Sequence, residues 1–289
     1  MTWVALCSAK GSPGTTTLAC ALGAVWPSAR PVVVIECDPL GGDVAGRFGL
    51  SSRVGMTSLV LTGRQGHLGP LDHGSHVQRL PGGLGVLVGP TAAESALTLD
   101  RELAMSTSDL VGGDSDVIAD CGRLLPGAGG QARMLARADR VILLLRPDVT
   151  GVAHARAAME RLAATSTSPP AAVVSSGGDF KASEVEQVLE ARVLGVLPDD
   201  LAGARMAGGG SGRAREFLRS PLVGFARDLV DVLASASAVD HRRPERRDDP
   251  RRHDELDRDD GEKRPKVWRR QLPRWPGSSN GKNPRLVAP

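Results

Sequence analysis

A run of glycine and hydroxyl-bearing residues separates the first apolar segment of the chain from its first helical segment. The run consists of Lys10, Gly11, Ser12, Pro13, Gly14, Thr15, Thr16 and Thr17. Glycines at such a junction let backbone N–H groups point into one concavity, and the helix start behind them adds partial positive charge. A threonine hydroxyl there can cap the helix or ligate Mg²⁺. The run therefore predicts a phosphate-binding loop, the alternative being a turn that only connects strand to helix.

Carboxylates follow two other apolar runs. Asp38 comes directly after the run Val32–Cys37, and Asp120 closes the run Val117–Asp120. Acids at the carboxyl ends of strands can meet at the ligand-binding edge of an α/β sheet. Each also has a simpler interpretation, since Asp120 could be a turn former and the nearby Asp43 a plain helix N-cap.

The elements that must position these residues alternate along the first 240 residues. We predict strands at Trp3–Cys7, Val32–Cys37, Leu84–Val88, Val117–Asp120, Val141–Arg146, Ala171–Ser175 and Val193–Leu197. We predict helices at Thr16–Val25, Ala92–Leu110, Gln131–Ala138, Thr150–Ala164, Ser183–Leu189 and Arg213–Leu233. Most of the strands are continuous apolar runs, as expected when both faces of a parallel sheet are buried. The alternation predicts one α/β domain with a doubly wound, mostly parallel sheet flanked by helices.

The charge of the chain is unevenly distributed. The whole sequence has 36 Lys and Arg against 33 Asp and Glu, a net charge of +3. From His241 to Pro289 there are 15 basic and 9 acidic residues, a net of +6, which leaves −3 for the first 240. We therefore expect the α/β domain with the phosphate-binding loop to cover 1–238 and a charged, disordered tail to cover 239–289. Basic residues around Trp268 and Trp275 could bind DNA, an anionic membrane or an acidic protein, unless the tail is simply solvated.

Composition also excludes several classes of protein. No run of about 18 apolar residues could span a bilayer, and the N-terminus becomes polar too soon for a secretory signal. The cysteines at 7, 20, 37 and 121 show neither disulfide nor metal-site spacing. They predict a reducing, cytoplasmic environment, where such residues act as small buried hydrophobes.

The segment from Lys10 to Thr17 resembles the deviant Walker A motif of the ParA/MinD family, which reads K-G-G-x-G-K-[ST]-T. The resemblance implies that Lys10 reaches the phosphates across a nucleotide-sandwich dimer and that Thr16 ligates magnesium. It implies that the loop from Gly11 to Thr17 binds nucleotide through its backbone. Ser12 replaces a glycine of the motif. Thr15 stands where the family has its second lysine, which neutralises charge on the β- and γ-phosphates.

Other segments extend the resemblance over roughly residues 1–235. Asp38-Pro39 matches the family's second Asp, which places the attacking water and links to magnesium, while Glu36 replaces the first. Asp120 matches the Walker B Asp, which contacts Mg²⁺ through water. Pro198 lies in a segment that in the family approaches the adenine, whereas serines replace the Asn that often contacts the base.

The resemblance implies an ATP-binding, Mg²⁺-dependent switch that forms a nucleotide-dependent homodimer, with Lys10 and Asp38 as catalytic residues. Family members act in chromosome or plasmid partition, septum placement, and positioning of secretion or pilus machinery. We expect a cytoplasmic protein that can lie at the nucleoid or at the inner face of the membrane. Arg47 or Arg123 could substitute for the missing lysine.

Two alternatives remain open at the level of sequence. The absence of the second lysine fits a pseudo-ATPase scaffold of the same fold, impaired in hydrolysis. A Rossmann oxidoreductase is the other alternative, with Glu36 holding a ribose at the end of the second strand. That alternative needs G-x-G-x-x-G after the first strand, and no third glycine follows Gly14 in this loop.

Overall fold

A computed structural model describes residues 1–11, 13–27, 30–64, 75–105 and 115–240. The strands within these ranges are β1 (Trp3–Ser8), β2 (Val32–Glu36), β3 (Gln78–Arg79), β4 (Gly85–Leu87), β5 (Asp116–Arg123), β6 (Arg140–Leu145), β7 (Ala171–Ser175) and β8 (Val193–Leu197). The helices are α1 (Thr15–Val25), α2 (Val44–Phe48), α3 (Met56–Arg64), α4 (Ala93–Met105), α5 (Gly129–Arg137), α6 (Val149–Thr165), α7 (Ala182–Leu189), α8 (Leu201–Ala207), α9 (Ala214–Phe217) and α10 (Pro221–Asp240). Ser12 and the predicted tail from residue 241 onward lie outside the described residues.

The eight strands form one sheet in the order β3-β4-β2-β5-β1-β6-β7-β8. Every pairing is parallel except that of β3 with β4. The central strand β1 pairs Ala5 with Ala119 of β5 on one side and with Val141 of β6 on the other. The carboxyl ends of β2, β5 and β1 therefore lie side by side in that order, and the loop after β1 lies beside the residues that end β5.

Successive residues of each central strand pack into two separate apolar layers. In β1, Trp3, Ala5 and Cys7 face the side covered by α3 to α7, while Val4 and Leu6 face α1, α2, α8 and α10. All five side chains are buried. Because both faces of the sheet are covered, the strands have continuous apolar sequences, as the sequence predicted.

The doubly wound α/β fold is confirmed, and the seven predicted strands all form. The two-residue β3 and the helices α2, α3 and α8 are additional to the prediction, because five to nine residues show too little periodicity to mark a short helix. The predicted helix Ala92–Leu110 is observed as α4 over Ala93–Met105, and residues 106–110 lie outside the described part of the chain.

The prediction of one helix over Arg213–Leu233 is wrong. The structure has α9 and then a new helix, α10, that begins at Pro221. Proline lacks an N–H and favours the first position of a helix, and the Ser220 hydroxyl before it accepts from the N–H of Val223 at 3.3 Å. This arrangement starts a helix and interrupts the preceding one. No helix in the described ranges is long and apolar enough to cross a membrane.

Candidate nucleotide-binding site

The loop after β1 leads into a helix whose N-terminus no side chain caps. Gly11 and Gly14 have φ values of +72° and +104°, which L-amino acids with a side chain rarely adopt. Gly14 occupies the N-cap position of α1, which has neither a side-chain cap nor an acidic residue in its first turn. The first N–H groups of this eleven-residue helix are thus available to an anion. Of the two roles considered for a threonine hydroxyl here, capping of α1 is not observed.

A cavity of about 370 Å³ opens in front of this helix. It is lined by Ser8, Gly11, Gly14, Thr15, Thr16, Thr17, Glu36, Asp38, Leu40, Gly41, Asp43, Arg47, Asp120, Gly122 and Arg123. The cavity thus brings together the loop after β1 with residues that follow β2 and end β5. It contains every acid that the sequence selected as a metal-binding candidate.

Asp120 lies at the bottom of the cavity with 1 % of its surface exposed. Its Oδ1 accepts from the N–H of Gly122 at 3.2 Å, whereas its Oδ2 is buried and has no hydrogen-bond partner among the described residues. Burial raises the pKa of Asp120 to about 7; the nearby Thr16 hydroxyl lowers it, and the negative charge of Glu36 raises it further. An unpaired buried carboxylate oxygen is unfavourable by roughly 1–3 kcal/mol or more, so this atom favours a cation.

Asp38 faces the same space from the loop after β2. Its Oδ1 accepts from the N–H of Leu40 at 2.8 Å, which fixes the carboxylate over the cavity. Burial raises its pKa, although backbone groups of Leu40 and Arg123 oppose the shift. The side chain packs against Gly122, whose φ of +57° and lack of a Cβ both permit the approach.

Glu36 has a structural role that the sequence did not indicate. Its Oε1 accepts from the N–H groups of Asp43 at 2.7 Å and Val44 at 3.0 Å, and its Oε2 accepts from Gly89 at 3.0 Å. Burial raises its pKa, and these three backbone donors act against that rise. Glu36 therefore caps α2 and ties β2 to the segment after β4. Because both of its carboxylate oxygens accept from backbone N–H groups, Glu36 serves the fold, which argues against the Rossmann alternative.

Asp43 was expected to be a plain N-cap, and this expectation is only half correct. The residue does occupy the N-cap position of α2, but its side chain makes no capping hydrogen bond. Its Oδ2 instead pairs with Nη2 of Arg47 at 2.8 Å, one turn later. The capping role belongs to Glu36, because its carboxylate reaches the helix start from the buried end of β2.

The site fits magnesium and a phosphate chain on chemical grounds. Thr16 and Asp120 lie close enough to influence each other, and with Asp38 they offer the oxygen ligands that Mg²⁺ prefers. The unpaired Oδ2 of Asp120 is the observation that favours a cation here. The uncapped N-terminus of α1 and the loop glycines would hold the phosphates. A bound Mg²⁺ would neutralise phosphate charge during phosphoryl transfer.

The remaining predicted residues differ in position. Thr15 and Thr17 line the cavity, and Thr15 is buried. Lys10 is exposed and Pro13 half-buried, and neither lines the cavity. Pro198 is also outside the lining, although the preceding Leu197 comes within contact distance of the space beside Gly14. The loop after β8 therefore lies beside the phosphate loop, while an adenine contact of Pro198 stays a prediction.

Gln131 is an important residue that the sequence did not reveal. It is buried near the start of α5, and its Nε2 donates to the carbonyls of Cys121 at 2.7 Å and Arg123 at 2.8 Å. Its Oε1 accepts from the N–H of Leu125 at 3.0 Å. Every hydrogen-bonding group of the amide thus holds the segment after Asp120. A single glutamine in a helix gives no signal of such a contact, because its partners follow a different element.

The cysteines act as buried apolar residues, as predicted. All four are free and buried. Sγ of Cys37 lies 3.7 Å from Sγ of Cys121, and burial raises the pKa of Cys7 and Cys20. No cluster of His, Cys, Asp or Glu with the geometry of a preformed metal site is found in the described ranges.

Several solved structures of other proteins resemble the structure of this chain, and their descriptions name proteins of related kinds. No protein-family model matches the sequence, and no curated protein matches it significantly. A ParA-family ATPase from Chlorobium tepidum is 14% identical with a TM-score of 0.60, over 80% of this chain and 96% of that chain. The septum site-determining protein MinD of Pyrococcus horikoshii, solved with Mg-ADP, is 18% identical with a TM-score of 0.62, over 82% of this chain and 98% of that chain.

A plasmid partition protein from Borrelia burgdorferi is 13% identical with a TM-score of 0.54, over 81% of this chain and 98% of that chain. The TM-scores establish a shared fold, whereas identities this low leave the activity open. The chain therefore has the fold of the ParA/MinD ATPases, as the resemblance of its loop and strand ends implied.

Proposed function

We propose that this protein is a ParA/MinD-type switch that binds ATP with Mg²⁺ and acts in positioning or partition. ATP between two protomers would hold a dimer that engages a surface or a partner protein. Its site of action would be the cytoplasm, at the nucleoid or at the inner face of the membrane. Proteins of the same fold include ParA, MinD and a plasmid partition protein, and the MinD structure contains Mg-ADP.

The observation that carries the proposal is the composition of the cavity edge. An uncapped helix N-terminus and two glycines of positive φ face two carboxylates, Asp38 and Asp120, across one cavity. Donors for an anion and ligands for a divalent cation thus meet at the carboxyl ends of parallel strands. This combination suits a magnesium–nucleotide complex better than it suits a free anion or a free divalent cation.

Nucleotide binding is the direct test. Calorimetric titration of the full chain with Mg·ATP and Mg·ADP should show binding that depends on Mg²⁺ and is lost with excess EDTA. A matched control is Arg192→Ala, because Arg192 is exposed and precedes β8 at the opposite edge of the sheet. Absence of Mg·ATP and Mg·ADP binding by the unmodified chain would overturn the proposal.

Exposed apolar side chains at the same edge support dimerisation. Leu40, Val149, Phe180 and Leu201 follow β2, β6, β7 and β8, and each is exposed. Lys10, which is exposed beside the cavity, is the residue we expect to reach the partner's phosphates. Sedimentation of Lys10→Ala with Mg·ATP should show loss of the nucleotide-dependent dimer, and an unchanged dimer would remove Lys10 from this role.

Thr15 supports the second candidate function, a pseudo-ATPase scaffold of the same fold. Its side chain is buried at the first residue of α1 and carries no charge to offer a phosphate chain. Turnover measured for the unmodified chain and for Thr15→Lys separates the two functions. Hydrolysis by the unmodified chain at a rate typical of ATPases of this type would reject the scaffold, whereas turnover only in Thr15→Lys would support it.

The basic tail is the part of the chain that we propose to contact a polyanion. Its net charge of +6 and its two tryptophans are the support for this role. Binding to DNA or to anionic vesicles should weaken as salt rises. Deleting residues 241–289 leaves α10 intact, and it should abolish that binding while nucleotide binding persists. If polyanion binding is unchanged after the deletion, the binding surface belongs to the folded domain and not to the tail.

A further inference from the structure

The cavity has an excess of negative charge for a site that is to hold a triphosphate. Four carboxylates line it, those of Glu36, Asp38, Asp43 and Asp120, against two guanidinium groups. The first 240 residues contain only two lysines, and neither lines the cavity. A nucleotide triphosphate would add further negative charge that one Mg²⁺ cannot balance. If the proposed function holds, a cation of the chain must take over the role of the lysine that Thr15 replaces.

Arg47 is one of the two guanidinium groups, and its charge is already engaged. It pairs with Asp43 at 2.8 Å, and its backbone and guanidinium approach Gly209 and Gly208 at the end of α8. Arg47 therefore lies between α2 and α8, and the carboxylate of Asp43 already offsets its charge.

Arg123 is the other guanidinium group, and no described residue pairs with its charge. It ends β5, is exposed, and forms no ion pair with any described residue. Its Cα pairs in register with that of Ser8, the last residue of β1 before the phosphate loop. The side chain thus starts beside the loop, three residues beyond Asp120, on the strand next to β1. No other described cavity residue combines positive charge, free donors and this position.

Hydrogen bonds hold the backbone around Arg123 in place, whereas its side chain is exposed. Gln131 donates to the Arg123 carbonyl at 2.8 Å, and the N–H of Leu124 donates to the carbonyl of Ser8 at 2.8 Å. Gln131 is itself held, because Asp100 of α4 accepts from its backbone N–H at 2.7 Å. An exposed arginine on a fixed backbone loses less conformational entropy on meeting a ligand than one on a free loop.

We propose that Arg123 binds the β- and γ-phosphates of the nucleotide, in place of the lysine that Thr15 replaces, and that Gln131 positions it. A guanidinium can contact two phosphate oxygens at once, so it suits this role as well as an ammonium does. This inference rests on the proposed function, since it names the cation of that same site.

The test compares Mg·ATP affinity among variants of the full chain. Arg123→Ala should weaken binding by about 10- to 100-fold, the range expected for losing hydrogen bonds to a charged group. Arg123→Lys should recover part of the loss, and Arg123→Ala combined with Thr15→Lys should recover more. Arg192→Ala serves as the control for removing an exposed arginine. Melting temperatures of all variants check that the fold persists.

A series of nucleotides separates phosphate binding from a structural role. Removing Arg123 should weaken ATP and ADP binding while leaving the weaker binding of AMP within about twofold, because AMP lacks the β- and γ-phosphates. Unchanged ATP affinity in Arg123→Ala would overturn the inference. So would a loss confined to Arg47→Ala or to Lys10→Ala. Absence of binding by the unmodified chain would instead overturn the proposed function, and the two failures are thereby distinguished.

Discussion

The carboxylate of Asp38 packs directly against the backbone of Gly122, in space that any Cβ at position 122 would fill. Gly122→Ala should therefore displace Asp38 and reduce Mg·ADP affinity. It should also lower the free energy of unfolding by about 1–3 kcal/mol beyond the cost of the positive φ itself. Denaturant unfolding and calorimetry measure the two effects.

Gly127→Ala provides the matched control for that substitution. Gly127 also has a positive φ, +84°, but a Cβ added there would meet no atom within 4 Å beyond its chain neighbours. The Gly127→Ala variant should have a free energy of unfolding lower by about 1–2 kcal/mol, from backbone strain alone, and should keep its Mg·ADP affinity. Equal losses of affinity in the two variants would show that the contact with Asp38 has no part in binding.

Thr16→Val should remove the hydroxyl beside Asp120 and preserve the shape of the residue. We expect Mg-dependent nucleotide affinity to fall by about tenfold or more, because the hydroxyl is a ligand candidate for Mg²⁺ as well as a neighbour of the carboxylate. Titrations with and without Mg²⁺ measure this. Thr165→Val at the exposed end of α6 is the control. A Thr16→Val protein with full Mg²⁺ dependence would contradict the assignment.

The free chain should become less stable as the pH rises towards 8. Burial raises the pKa of Asp120 from 3.8 to about 7, so the folded chain binds more protons than the unfolded chain between these values. Stability then falls as the pH rises through this interval. Thermal unfolding from pH 5 to 8 in Mg-free buffer should show the decline, and Asp120→Asn should reduce its slope.

Asp38 and Glu36 contribute in the same direction, since burial raises the pKa of each. The slope in Asp120→Asn should therefore be smaller than in the unmodified chain, though not zero. Asp228→Asn, on the exposed side of α10, is the matched control for the loss of one carboxylate. The same slope in Asp120→Asn and the unmodified chain would mean that Asp120 does not titrate in this range.

Gln131→Met should destabilise the chain although methionine has a similar volume. The substitution leaves the carbonyl of Cys121, the carbonyl of Arg123 and the N–H of Leu125 without their partner. We expect a loss of about 2–4 kcal/mol in the free energy of unfolding. Urea unfolding measures it, with Gln187→Met on the exposed face of α7 as control. Equal midpoints for the two variants would show that water replaces the amide without cost.

The sequence predicted those parts of the fold that depend on periodic or continuous patterns. Strands such as β7 and β8 were predicted to the residue, because an apolar run between turn residues has a sharp boundary. The loop Gly11–Thr17 was found because its function requires consecutive residues. The helix break at Ser220 was missed since the apolar pattern continues across it, and only the Ser-Pro pair marks the new start.

Contacts between distant residues were beyond prediction from sequence. In the sequence, Glu36 is one more acid at a strand end, with a ribose contact only in the Rossmann alternative. Its burial against three backbone donors emerges only when β2, β4 and α2 come together. Position 131 gave no signal for the same reason. Arg47 and Arg123 were equivalent in sequence, and the ion pair with Asp43 is what distinguishes them.

The burial of all four cysteines has a practical consequence for labelling experiments. Native thiols that are shielded from solvent and disfavoured as thiolates should react slowly with maleimides at neutral pH. A single cysteine introduced on the surface would then carry a fluorophore or cross-linker selectively, in an otherwise native chain. The distance between two copies could thus be followed by energy transfer while nucleotide is added, without first replacing any residue of the apolar layers.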